Sequence, residues 1–326
     1  MIWPARSVLV AIVALAPSSA PLLSPPVTYF GMCDASAAVA LGHDSFAVAN
    51  DEDNVIRIYL RQPPALPLST FDVSAFLNLS RGAHEADLEG GARIGDVIYW
   101  IASHGRNASG EVSPNRQRFF ATELTQGERL SLRPVGQPYT RLVEDLSSDS
   151  RLQEFALDQA ARLAPTRPGA LNIEGLVATP AGQLLIGFRS PIPGGRALIV
   201  PLLNPSAMIT GARAQFGDPI RIDLGGLGVR SLGWGNGKYF IIAGHESDTG
   251  VSKLFEWTGP GSTPTLVDAI NFTGTNPEGI AFDAAQGAQD IFVLSDDGAL
   301  EIEGTGCKRL KDPSKRRFRA FQLLLQ

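Results

Sequence analysis

The sequence predicts an all-β chain folded as a single β-propeller, and three observations predict it. The motifs DLEG (87–90), NIEG (172–175) and NPEG (276–279) share a core that recurs before three strand-like runs. Each EG is followed by an apolar stretch, a turn containing Gly or Asp, and a second apolar stretch that ends in polar residues: ARIGDVIYWIASHGR, LVATPAGQLLIGFRS and IAFDAAQGAQDIFVLSDDG. Two more segments, beginning at Asp34 and Val229, follow the same plan without the Glu. Five units of this kind read as a radial repeat in which no unit can bury its apolar face alone.

With Asp34, Glu89, Glu174, Arg230 and Glu278 taken as equivalent, the spacings are 55, 85, 56 and 48 residues. These compare with the ~40–50 residues of a four-stranded blade. A third strand follows each polar break, as in RFFATEL (118–124), RALIVPLL (196–203) and KLFEW (253–257), and a fourth follows in LSTFDV (68–73), PIRIDL (219–224) and TLVDAINF (265–272). Four antiparallel strands repeated around an axis leave only short, protected edges. The count is five blades, with six as the alternative, since an insertion of about 144–169 lengthens one interval.

The fifth unit ends with its third strand, RFRAFQLLL (317–325), and PVTYF (26–30) is the segment left to complete it. That closure brings Cys33 near Cys307. The two cysteines of an exported chain read as one disulfide, the alternative being two buried thiols.

Export is expected from residues 1–20, where Arg6, an apolar run from Val8 to Ala16, and Ser18 and Ala20 form a secretory signal. The propeller domain then occupies 21–326. No other stretch approaches the ~18 apolar residues of a membrane span, so stable membrane insertion after cleavage is not expected, and the protein is placed in the periplasm or outside the cell. A net charge of −5 with 19% charged residues argues against nucleic-acid binding, which depends on phosphate neutralisation. The one basic run, KRLKDPSKRRFR (308–319), reads as a solvated loop.

In a meander, the start of the first strand and the end of the second emerge on the same face of a blade. Two rings should therefore surround one mouth of the channel. The first is Asp34, Glu89, Glu174, Arg230 and Glu278. The second includes Asn50 to Asp53, Ser103, His104, Arg106, Arg189, His245, Glu246 and Ser295 to Asp297. Asp34, Glu89, Glu174 and Glu278 form an oxygen-rich set suited to calcium. His104 and His245 are candidate proton carriers; His84 lies outside the rings. Arg189, Arg230 and Asp296 are candidate ligand-binding residues, the arginines for an anionic group. The alternative for the three Glu residues is that each locks its blade to the next through backbone hydrogen bonds. NDEDN (50–54) reads more readily as a solvated turn than as a ligand cluster.

Within the insertion, Asp149 or Ser150 can cap a helix over about 149–163 with Leu152, Phe155, Ala156 and Leu163 on one side, ended by Pro165 and Pro168. It can cover the mouth as a lid or pack on the rim.

On these motifs the mature chain resembles the bacterial domain-of-unknown-function family DUF3616, whose members look like secreted propellers with repeated EG motifs and breaks similar to SHGR, FRSP and SDDG. It is more distantly similar to the esterase-like domain related to phytases. Neither resemblance supplies an established catalytic residue. Two functions follow as expectations: a metal-assisted hydrolase of a phosphoester, ester or lactone, or a non-catalytic propeller binding a small anionic ligand at the same mouth. No G-x-S-x-G elbow or H-E-x-x-H motif is present, which weakens serine-esterase and zinc-protease readings.

Overall fold

Short runs rich in Val, Ile, Phe and Tyr, cut by tight turns, pair in sequence order as antiparallel sheets. A computed structural model describes residues 22–42, 44–62, 66–79, 85–127, 129–247, 249–282 and 290–324. The expected signal segment and His84 lie outside the described residues.

Blade one consists of Ala37–Ala40, Ser45–Ala49, Val55–Leu60 and Ser69–Asp72. Blade two consists of Leu88–Ile94, Val97–Ala102, Phe119–Gln126 and Leu130–Tyr139. In blade three the strands are Asn172–Ala178, Leu184–Ser190, Ala197–Leu202 and Ile220–Ile222. In blade four they are Gly228–Gly235, Lys238–Gly244, Lys253–Trp257 and Thr265–Leu266. Blade five joins Pro277–Phe282, Asp290–Ser295 and Arg317–Leu324 to Val27–Phe30 from the other end of the chain, with Leu22–Leu23 on the same edge.

The closing register runs from Val27 opposite Ala320 to Phe30 opposite Arg317. It directs the chain into Cys33, which is disulfide-bonded to Cys307 with the Cα atoms 5.9 Å apart. Apolar side chains then fill each junction between successive blades. Leu88 and Trp100 of blade two pack with Ile56 of blade one. Val229 of blade four meets Val177 of blade three. At the closure, Tyr29, Phe46, Tyr59, Phe292 and Phe318 form one aromatic cluster of edge and stacked contacts.

The insertion is helical, but it is not the single helix expected over 149–163. It consists of helix Leu142–Ser148, a 3₁₀ turn Gln153–Phe155 and a short helix Leu157–Ala160. Asp149 ends the first helix instead of opening one, and Ala156 breaks the path with φ of 47°. Glu144 and Asp145 in the first turn suit the positive end of that helix. Leu142, Leu146, Leu152, Phe155 and Leu157 are buried in the core shared by blades two and three. The insertion therefore packs into the core between blades two and three, and its end lies against Arg106 and Glu246.

Candidate functional site

The recurrence of EG has a backbone cause. The pairing of the first two strands shifts register between Leu88 and Gly90, Ile173 and Gly175, Val229 and Ser231, and Pro277 and Gly279. Glu89, Glu174, Arg230 and Glu278 are thus the extra residues of four β-bulges, a feature that re-aims a side chain out of the ladder. In blade three the partner strand also shifts, between its pairings to Asn172 and Ile173, and Arg189 is the residue passed over. The following Gly has a separate reason. A Cβ at Gly175 would lie 2.8 Å from Val229 Cγ1 of the next blade.

Two of these acids are tied to guanidinium groups. Glu174 Oε1 accepts from Arg189 Nη1 at 2.8 Å and from Asn172 Nδ2 at 2.9 Å. Arg230 sits between blades, with Nε 3.4 Å from Glu174 Oε2, Nη1 donating to Asn276 Oδ1 at 3.0 Å, and Nη2 donating to Glu278 Oε1. Asn276 Nδ2 in turn donates to Glu278 Oε1 at 3.0 Å and to Asp296 Oδ2 at 3.1 Å. All four charged members, Glu174, Arg189, Arg230 and Glu278, are buried. Burial raises the Glu278 pKa to about 8, opposed by Arg230 and reinforced by Asp296.

The carboxyls of blades five, one and two face each other. Burial, then Glu174, Asp87, Asp51 and Glu278, push the Glu89 pKa well above the usual carboxylate range. Asp51 is raised in the same way by burial and then by Asp296, Asp34, Glu278 and Asp87, and its Oδ1 is enclosed with no hydrogen-bond partner. Asp34 is raised to about 8 by burial and by Asp296, to which it hydrogen-bonds. Asp296 is raised by burial, but Gly298 N at 2.8 Å, Arg230 and Asn276 support its ionised form. Asp87 pairs with Arg116 at 2.8 Å, and burial lifts its pKa to about 6. Glu89, Asp51 and Asp296 are partly exposed, whereas Asp34, Glu174 and Glu278 are buried. The two acids held in the guanidinium bridge, Glu174 and Glu278, are thus among the buried ones.

The other expected residues are placed differently. His104 is buried with φ of 58°, its Nδ1 is 2.7 Å from Ala102 O, and burial lowers its pKa to about 4. None of the acids in the mouth is among the groups that shift it. His245 is exposed and contributes its backbone oxygen to Arg189 Nε at 3.0 Å. Its ring borders an outer cleft with Arg167, Glu246 and the end of the insertion. Asp297 is bound by Ser295 Oγ and Arg319 and anchors blade five. The calcium set Glu89, Glu174, Glu278 and Asp34 is not gathered around one point: Glu174 and Glu278 flank Arg230, and Asp34 turns to Asp296. Among the described residues no three His, Cys, Asp or Glu side chains are grouped so as to hold a metal ion.

Asp87, Asn172 and Asn276 open the repeated motifs DLEG, NIEG and NPEG, two residues before each Glu, and the two asparagines join the bridge as hydrogen-bond donors that the spacing of the acids alone does not signal. Asp51 was named but set aside as a turn residue, although Asp53 is the one that serves the turn, accepting from Val55 N at 3.0 Å.

Among solved structures, the fold is similar to a putative oxidoreductase (glucose dehydrogenase) from Thermus thermophilus, at 15% identity and a TM-score of 0.44, covering 92% of this chain and 100% of that one. It is also similar to an exo-β-1,3-galactanase from Phanerochaete chrysosporium, at 8% identity and a TM-score of 0.47, covering 94% and 64%. A sialidase from Trypanosoma rangeli matches at 12% identity and a TM-score of 0.45, covering 91% and 54%. No curated protein matches the chain. Among the described residues no helix is long and apolar enough to cross a membrane. Residues 121–271, from blade two through blade four, match a family described as a protein of unknown function (DUF3616), which supports the resemblance read from the motifs.

Proposed function

We propose that the channel mouth of an exported propeller is an acid–base site that hydrolyses an ester or lactone. The observation behind this reading is the division of carboxyls within one mouth. Glu174 and Glu278 are buried against Arg189 and Arg230, whereas Glu89, Asp51 and Asp296 are partly exposed and differ in what surrounds them. Burial raises both Glu89 and Asp296, but Asp296 alone has Gly298 N, Arg230 and Asn276 favouring its charged form, and carboxyls in unlike surroundings can divide into an acid and a base. Glu89, held protonated with Asp51 behind it, donates a proton to the leaving oxygen. Asp296, whose charge is supported by Gly298 N, Arg230 and Asn276, orients the attacking water. His104 takes no part in this reading, because burial lowers its pKa to about 4 and keeps it neutral.

The bridge also bears on the substrate. Arg189 and Arg230 are already paired, so an anionic phosphoester would face carboxyls with no guanidinium to receive it. A neutral ester or lactone does not meet that repulsion. The purified protein, screened on neutral and phosphorylated esters and lactones, should turn over a neutral substrate. Glu89→Gln and Asp296→Asn should each lower kcat by on the order of 10²-fold or more, while His245→Ala keeps it. Turnover untouched by both variants rejects the site. The absence of turnover, together with saturable binding of an anion that needs Arg189, favours the binding propeller instead.

A further inference from the structure

We infer that Arg230 is the resident cation of the mouth, standing where a divalent ion would otherwise balance Glu174 and Glu278. The inference is independent of the hydrolytic reading. Arg230 occupies the bulge position that carries Glu in three other blades, and it is the one basic residue of that ring. Its guanidinium reaches two flanking blades: Nη1 donates to Asn276 at 3.0 Å and Nη2 to Glu278, while Nε lies 3.4 Å from Glu174 Oε2 as an ion pair without a hydrogen bond. A planar fork of donors matches carboxylate geometry in a way that a point charge does not.

The seat is built for this side chain. A Cβ at Gly244 would come within 2.5 Å of Arg230 Cδ and 3.1 Å of Cγ, so the aliphatic stem lies over a position that has no side chain. Asn276 is also shared: it accepts from Arg230 and donates to Glu278 and Asp296. A free ion could not be held by this arrangement without displacing the guanidinium. One consequence concerns charge. Arg189 and Arg230 together already offset the two charges of Glu174 and Glu278, so an added divalent ion would find no uncompensated pair there to balance.

The experiment is a calcium titration of the whole mature protein, read by calorimetry and by thermal unfolding, for the wild type, Arg230→Lys and Arg230→Gln. The wild type and Arg230→Lys should show no calcium-dependent rise in Tm. Arg230→Gln should bind calcium about tenfold more tightly than the wild type or better, which corresponds to about 1.4 kcal/mol. A folded Arg230→Gln that gains no calcium affinity overturns the inference. The wild-type measurement decides independently of how well the variant folds. Stoichiometric calcium uptake by the wild type, lost in Glu174→Gln, also overturns it. Neither result depends on turnover, so the hydrolytic reading stands or falls separately.

Discussion

Gly90 of blade two and Leu176 of blade three touch so closely that a Cβ on Gly90 would lie 2.9 Å from the Leu176 Cβ and 2.8 Å from Ile101 Cγ2. Both obstacles are close to the backbone and cannot swing away. Gly90→Ala should therefore destabilise by about 1–3 kcal/mol through overpacking. Urea unfolding would measure it, and an unchanged midpoint would mean that the blades slide apart freely.

Closure of the ring is covalent as well as hydrogen-bonded. Cys33 and Cys307 are 274 residues apart in sequence, so their bond restricts nearly the whole unfolded chain. Replacing both by Ser should cost on the order of 5 kcal/mol in the chain-entropy treatment. Comparing denaturation of the double variant with that of the oxidised protein tests this. An equal midpoint would show that the strand pairing of Val27–Phe30 is sufficient alone.

Buried carboxyls with raised pKa values make stability fall as pH rises. Asp34 holds its proton up to about 8 in the folded protein, against about 3.9 in an unfolded chain. Between those values the folded state binds the extra proton. Its contribution is complete below the unfolded pKa and is lost as pH rises through the folded one. Each such carboxyl should remove up to about 1.4 kcal/mol per pH unit, and Glu278 acts in the same direction. Urea midpoints at about pH 5 and about pH 8 should differ in the wild type, and less so in Asp34→Asn.

Glu174 answers to two arginines. Glu174→Gln leaves Arg189 and Arg230 buried with one carboxylate fewer, a change expected to cost about 3–5 kcal/mol. Adding Arg189→Met should recover part of that loss. A double variant as unstable as the sum of the two single ones would show that the pair is not coupled.

His104 should not titrate in the neutral range. Its pKa of about 4 predicts imidazole proton resonances that stay fixed from about pH 5 to about pH 8, whereas a free histidine shifts near 6.5. A midpoint within that range would place the ring in a more polar setting than the fold provides.

Much of the architecture was legible because it rests on arithmetic that side-chain detail does not disturb. Five motifs, four strands per unit and one missing strand sufficed to place Val27–Phe30 beside Arg317–Leu324 and Cys33 beside Cys307. The helix was misjudged because its break lies at Ala156, where a left-handed backbone on a non-glycine residue leaves no compositional trace. The site was half legible. Topology brought the acids to one mouth, but spacing along the chain says nothing about which acid meets an arginine. Glu174 and Glu278 differ from Glu89 through Arg230 from the blade between them and through Arg189, Asn172 and Asn276 of their own blades. Asp51 was hidden by its setting, since a run of Asn and Asp has an adequate explanation as a turn.

The four bulges separate two kinds of substitution. A bulged residue belongs to neither rung of the ladder beside it, so changing its chemistry leaves the strand pairing and the apolar contacts between blades in place and alters the polar bridge alone. The neighbouring glycine has no such freedom. A sequence can therefore exchange Glu for Arg at one blade, as it does at position 230, and redraw the charge map of the channel without renegotiating the fold. The bulge positions thus set the charge of the mouth together, Arg230 tying the acids of the blades on either side of it.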